Sequence, residues 1–254
     1  MRKHAVFLDL DGTIAQYDRP PSEAVTAAVR RARQAGHAVF LCTGRAPGYI
    51  YASVKAVGFD GIVAAAGGHI RLGETLLYRR PLPPALLERI LTLYLGNGRT
   101  CFLEGEESMY AVNPSQPSGW PEVTGARDFE PGSGRFAGQA VMKFSIYHPL
   151  TAEEKRMLSP ELAFIEQGSY TEVLPAGVCK SDGMRRVLER LGIPREDSIA
   201  IGDSRNDLDM LRYAGVGVAM GGSPEEVIRA ADRVTGSLAA DGAAAALEEL
   251  LRPR

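Results

Sequence analysis

The sequence has little of what would tie it to a membrane, a nucleic acid or an oxidising compartment. No segment of its 254 residues approaches the roughly 20 consecutive apolar residues that a membrane span needs. Neither sign of charge prevails. Against 31 Asp and Glu stand 29 Lys and Arg, and the formal net charge of −2 offers no basic field to nucleic acid or anionic lipid. The three cysteines, Cys42, Cys101 and Cys179, are too few and too scattered for a disulfide framework or a zinc site. Each reads as a small apolar residue, and the expected address is a reducing cytoplasm. Met1-Arg2-Lys3-His4 runs directly into an apolar strand, so no signal peptide is expected there. What is present, 45% apolar residues over this length, suits one large soluble domain or a domain with an insert.

The chain is organised around Asp9-Leu10-Asp11-Gly12-Thr13, at the exit of the apolar run Ala5-Val6-Phe7-Leu8. A run apolar at every position reads as a parallel strand buried on both faces. Residues two apart on a strand face the same way, so Asp9 and Asp11 are expected to project into one space. Two carboxylates that close repel unless a proton or a cation lies between them. Gly12 permits a sharp turn, and Thr13 adds a hydroxyl beside exposed amides.

Strands and helices alternate on either side of a different middle section. Ser22 is expected to cap a helix that ends near Gly36, with Val25, Ala28, Val29 and Ala32 on its apolar face. A second buried strand, 38–42, leads into Thr43-Gly44-Arg45. Pro47 fits the first turn of a helix running to Gly58, and a third strand, 62–66, closes at Gly67-Gly68. A hairpin turning at Gly73-Glu74 and a helix from Pro83 that stops at Gly96 come next. More strands than helices follow, the mark of an α+β insert. Residues 113–139, which include the single Trp120, form the least regular stretch, a loop either functional or mobile. From Gly177 the alternation resumes with a helix over 180–191, a strand at 199–201 and a final helix over 239–251. The expected fold is α/β, a Rossmann-like parallel-sheet core with helices on both faces and an inserted α+β cap. Residues 1–79 and 177–254 make the core, and 80–176 the insert.

In open parallel sheets ligands bind beyond the carboxyl ends of the strands. Four polar signals fall at such ends or at the next helix start. They are Asp9 with Asp11, Thr43-Gly44-Arg45, Lys180, and Gly202-Asp203-Ser204-Arg205-Asn206-Asp207. Asp9, Asp11, Asp203 and Asp207 gather up to four negative charges, and hard oxygen donors without His or Cys suit Mg2+. A phosphoryl group would be offset by that ion, by Lys180 and by amides around Gly12 and Thr43. A carboxylate can attack phosphorus to give an aspartyl-phosphate, which suits Asp9 as nucleophile and Asp11 as acid and base.

These motifs resemble the haloacid dehalogenase-like superfamily, and their order most resembles its Cof-type phosphatases. Asp9-Leu10-Asp11-Gly12-Thr13 matches the first motif, Thr43 the second, Lys180 the third, and Gly202-Asp203-Ser204-Arg205-Asn206-Asp207 the fourth, in its Gly-Asp-x-x-Asn-Asp form. The resemblance implies that Asp9, Asp203 and the Asp11 carbonyl bind Mg2+, and that Asp207 supports the metal or Lys180. It also implies that Asn206 helps hold the phosphoryl group or the lysine. Gly12, Thr13, Thr43, Gly44 and Arg45 are the remaining candidates for phosphate or substrate. The implied activity is a magnesium-dependent phosphomonoesterase acting on a small phosphorylated metabolite, such as a sugar phosphate or a phosphorylated cofactor. No nucleic-acid or membrane partner is expected, and the assembly is expected to be a monomer or homodimer. Gly67-Gly68 departs from the Asn-Gly that many relatives carry there.

Three other readings compete. A phosphosugar mutase shares such a core but asks for a more basic cap than one holding Arg127, Arg135 and Lys143 among many acids. A signalling receiver lacks the second acid two residues after its phosphorylated aspartate. A non-catalytic metabolite or partner sensor would be expected to lack a motif residue. Outside the motifs, His69 either reaches substrate or is a surface histidine. Glu104, Glu106 and Glu107 either face substrate or make a solvated turn. His4, His37 and His148 have no partners at ligand spacing and are assigned no role.

Overall fold

In the computed structural model the described residues are 3–16, 19–113, 126–128, 140–166 and 170–252. In chain order, β1 (Ala5–Leu8), α1 (Glu23–Gln34), β2 (Ala38–Cys42), α2 (Ala52–Lys55), β3 (Gly61–Ala64), β4 (His69–Leu72) and β5 (Thr75–Arg79) come first. Next are α3 (Pro84–Asn97), β6 (Cys101–Gly105), β7 (Met109–Val112), β8 (Ala126–Asp128), β9 (Val141–Ile146), α4 (Ala152–Leu158), β10 (Leu162–Glu166) and β11 (Thr171–Pro175). The chain closes with α5 (Lys180–Leu191), β12 (Ser198–Gly202), α6 (Leu208–Tyr213), β13 (Val216–Ala219), α7 (Glu225–Ala230), β14 (Arg233–Val234) and α8 (Gly242–Leu250). Two compact units emerge. One comprises Met1–Gly44, Ile50–Tyr78 and Cys179–Arg254, the other Arg45–Tyr49 and Arg79–Val178.

The first unit is built on an eight-stranded sheet of order β14-β13-β12-β1-β2-β3-β4-β5. It is parallel from β14 to β3 and turns antiparallel at β4. Alternate residues of its central strands bury into two separate cores, which is why those strands are apolar at every position. Val6, Leu8, Val39 and Leu41 pack with Val25 and Val29 of α1 and Leu247 of α8. Phe7, Phe40 and Cys42 pack with Met184 and Val187 of α5 and Met210 of α6. Ser22 caps α1 as expected, its hydroxyl accepting from the Val25 amide. Strand order reverses at β1, with β2 on one side and β12 on the other, so the crevice at their carboxyl ends is the place where a ligand is expected.

Several elements differ from the sequence reading. The helix expected from Pro47 to Gly58 is a 3-10 turn, Pro47–Tyr49, followed by the single turn of α2. Gly48 lies so close to the backbone of residues 105–108 that a Cβ there would collide, and that packing displaces the helix. The third strand ends at Ala64, because Ala65 and Ala66 take left-handed φ values of 48° and 51°. Helix α3 runs past Gly96 and stops at Gly98, whose φ of 68° provides the left-handed cap. The last helix begins only at Gly242, after a turn in which Asp241 has φ 51°.

The second unit holds a six-stranded sheet of order β10-β11-β9-β6-β7-β8, antiparallel except between β7 and β8. Helices α3 and α4 cover one face, where Leu86, Ile90, Tyr94 and Leu158 meet Leu103, Phe144 and Val173. Thr151 starts α4 with a reciprocal capping box to Glu154. Residues next to the core-facing set point the other way, and they place Glu104, Lys143, Ser145 and Glu172 on the opposite face. All four are buried. The Lys143 ammonium bonds Glu172 at 2.9 Å and lies 3.5 Å from Glu104, which accepts from Ser145 at 2.5 Å. Burial pushes Glu104 above the usual carboxylate range, against the pull of Lys143 and Ser145. Trp120 and most of 113–139 lie outside the described residues.

Candidate active site

The first unit brings Asp9, Lys180, Asp203, Asn206 and Asp207 together. Asp9 follows β1, its amide bonded to the Ile201 carbonyl of β12 at 2.9 Å, so the central strand pair fixes its backbone. The ammonium of Lys180, the first residue of α5, is wholly buried and reaches Asp9 Oδ1 at 2.6 Å, Asp207 Oδ1 at 2.5 Å and Asn206 Oδ1 at 3.3 Å. An ammonium has three N–H donors, and each has a partner here. Lys180 therefore offsets the charge of Asp9 and orients its carboxylate through Oδ1.

Asp207 is committed on both sides. Its Oδ2 accepts from the amides of Asp203 and Ser204, each at 2.9 Å, while Oδ1 meets the lysine. Asp207 thus shapes the turn that carries Asp203. Gly202 must be glycine for this, since a Cβ there would collide with the Asp207 carboxylate. Asp203 Oδ1 accepts from the Thr13 hydroxyl at 2.8 Å, so Thr13, expected beside a phosphate, is engaged by a carboxylate. Gly12 has φ 88°, and its α-carbon lies so near the Asp203 carboxylate that a side chain would strike it.

Carboxylate oxygens of Asp9, Asp203 and Asp207 lie within 4.8 Å of one another. Burial, then the charges of Asp207 and Asp203, hold Asp9 well above the usual carboxylate range, although Lys180 pulls it down. Asp203 is pushed up to about 6 by burial and by Asp207, with Asp11 adding to the effect. Burial works against the charge on Lys180, but Asp207 and Asp9 outweigh it and raise its pKa. Such crowding of hard oxygen donors fits a small divalent cation. The Asp11 carboxylate is not one of the three that converge. Its backbone is bridged to Ala15 across the tight turn after β1.

Thr43 is buried at the end of β2, where its amide bonds Val63 O and its carbonyl accepts from Ala66. Gly44 closes that part of the first unit. Arg45 falls in the second unit, buried, with its guanidinium 4.7 Å from the centre of the Tyr49 ring. His69 is buried on β4 rather than exposed. Of the three glutamates, Glu104 is buried in the charged cluster and Glu106 pairs with Arg79. Burial also pushes the Cys42 thiol up, consistent with an apolar role.

Three contacts were given no role by the sequence. Ser204 accompanies Asn206 and Asp207 through its hydroxyl, and Asp209 Oδ2 accepts from the Ser181 amide at 2.7 Å. His4 and His37 meet through the His4 amide and His37 Nδ1. Only the proximity of Asp209 to the fourth motif offered a hint of its role.

Known proteins resemble this chain over nearly its whole length. A family model described as haloacid dehalogenase-like hydrolase matches residues 6–247. The chain is 28% identical over 253 residues to YkrA of Bacillus subtilis (strain 168), covering 98% of each. It is 28% identical over 250 residues to a phosphoglycolate phosphatase of Methanosarcina acetivorans, covering 98% of this chain and 97% of that one. The solved structure of a haloacid dehalogenase-like hydrolase from Bacteroides thetaiotaomicron matches with a TM-score of 0.86 at 26% identity, over 98% of this chain and 100% of that one. With a match across nearly its whole length, the chain belongs to the haloacid dehalogenase-like hydrolases.

Proposed function

We propose that the protein is a magnesium-dependent phosphatase that cleaves a small phosphorylated metabolite through an aspartyl-phosphate on Asp9. The observation that carries this reading is the buried contact of Lys180 with Asp9 beside Asp203 and Asp207. A carboxylate needs a fixed orientation and one unencumbered oxygen to attack in line, and the lysine supports both. In the first step Asp9 Oδ2 bonds to phosphorus, the bond to the leaving oxygen breaks, and that oxygen takes a proton from Asp11. In the second step Asp11 takes a proton from water, which attacks phosphorus and frees phosphate and the Asp9 carboxylate. Asp9 and Asp203 are the side chains that would hold Mg2+, with Asp207 fixing the Asp203 backbone. The bound ion would offset the negative charge of the phosphoryl oxygens. The methanogen relative named as a phosphoglycolate phosphatase supports a small phosphomonoester as substrate.

The test is phosphate release from a panel of sugar phosphates, phosphorylated cofactors and phosphorylated small acids, each with Mg2+ and with excess chelator. The expected result is metal-dependent release from at least one class. Release from none, by folded protein supplied with Mg2+, would overturn the reading.

A further inference from the structure

Lys180 is held at its side-chain end by Asp9, Asn206 and Asp207, but what holds its backbone is less obvious. It is the first residue of α5, and Cys179 before it makes no side-chain cap. A lysine at a helix N-terminus also sets its charge against the positive end of the helix dipole. Asp182, the acid of the first turn, is turned toward Arg185 and Arg186 instead. By its own sequence, α5 starts poorly at the point where placement of the lysine matters most.

The missing cap comes from another helix. Asp209, half-buried in the first turn of α6, accepts from the Ser181 amide at 2.7 Å. A carboxylate on a backbone amide at that position satisfies an orphan donor and favours the dipole. Packing holds the same turn as well, since Gly67 approaches the Cys179 carbonyl more closely than any residue with a Cβ is able to. One short segment therefore braces the lysine on two sides, Asn206 and Asp207 at its ammonium and Asp209 at the amide of the next residue, Ser181.

We propose that Asp209 is a positioning residue for the phosphoryl transfer, acting through the start of α5 on Lys180 and thence on Asp9. This rests on the phosphatase reading above. Without its cap the first turn frays, the ammonium loses its registration, and Asp9 loses the orientation needed for attack. Misplacement of a catalytic group by about 1 Å costs roughly a hundredfold in rate. Asp209→Ala is thus expected to lower kcat by about ten- to a hundredfold while KM changes much less.

The experiment measures kcat and KM for an aryl phosphate, with thermal melting of each variant, well below the melting temperature. Asp209→Asn keeps an oxygen that can accept from Ser181 and is expected to restore most of kcat. Asp209→Glu keeps the charge but moves the acceptor, and is expected to resemble Asp209→Ala. It also serves should Asp209→Ala fail to fold. A purely structural cap predicts a lower melting temperature with kcat unchanged. Folded Asp209→Ala or Asp209→Glu with kcat within twofold of wild type would overturn the proposal, as would Asp209→Asn as impaired as Asp209→Ala. Asp9→Asn, run alongside, tests the underlying reading separately. If it retains turnover, the phosphatase mechanism falls first and the proposal with it.

Discussion

Two aspartates separated by one residue have different surroundings. Asp9 is buried against Lys180, whereas Asp11 sits in the tight turn and its carboxylate is not among the three that converge. Asp9→Asn is expected to abolish phosphate release, because an amide has no anionic oxygen to attack phosphorus. Its carbonyl oxygen still accepts from Lys180, so a melting curve close to wild type should accompany the loss. Retained turnover, with contaminating phosphatase excluded, would refute a covalent role for Asp9. Asp11→Asn should act differently. An alkoxide leaving group is a strong base that needs a proton in the transition state, and an aryl oxide needs it far less. General-acid assistance is worth roughly 10²–10⁴-fold, so loss of the acid should slow an alkyl phosphate much more than an aryl phosphate. Rapid-quench rates for formation of the aspartyl-phosphate read this directly, and equal losses for both would remove Asp11 from that task.

Among the elements, those read correctly from the sequence carry their signal locally. β1 and β2 announce themselves by apolar runs, and α1 by its Ser22 cap and helical spacing. α5 was legible over 180–191 by the same spacing. Some of the errors fall where local preference is overridden. Gly48 yields to the backbone of 105–108, and Ala65 and Ala66 adopt a conformation that no local preference favours. At the candidate site the motif residues were readable because their spacing is a signature. The task of Asp209 was not, since its partner Ser181 lies 28 residues earlier in the chain. The charged cluster on the second unit's sheet was equally hidden, its members lying on three strands far apart in sequence. That cluster allows an element-scale prediction. Removing one partner of a buried ionic group costs about 3–5 kcal/mol, so Lys143→Met should destabilise the second unit by an amount of that order. Burial already raises the pKa of Glu104, and loss of the lysine raises it further. A carboxyl whose folded pKa exceeds its unfolded value binds more protons when folded. Stability of the variant should therefore rise as pH falls from the folded toward the unfolded value. Urea titrations at pH 7 and pH 5 test this, and a variant relatively less stable at pH 5 would contradict it.

For the whole molecule, the site joins two adjacent parallel strands of the larger sheet, β1 and β12, to the helix that follows the second unit in the chain. Asp9 extends β1, Asp203 follows β12, and Lys180 opens α5. Burial first, and then repulsion from neighbouring carboxylates, raises the pKa values of Asp9 and Asp203. A divalent cation that binds only the folded arrangement should relieve that repulsion and stabilise the protein by mass action. At a concentration a hundred times its dissociation constant, the gain is about 2.7 kcal/mol. For a unit of this size each kcal/mol moves the midpoint by about 2–4 °C, so Mg2+ should raise the melting temperature by roughly 5–10 °C. The same ion should be required for turnover, and chelation should reverse both effects together. Asp203→Asn removes one anionic ligand and should diminish the thermal shift and the activity in parallel. The decisive comparison is a pair of melting curves with and without excess chelator, measured beside phosphate release from the same samples. Identical curves, with release persisting in chelator, would show that the carboxylate cluster serves the fold without a metal.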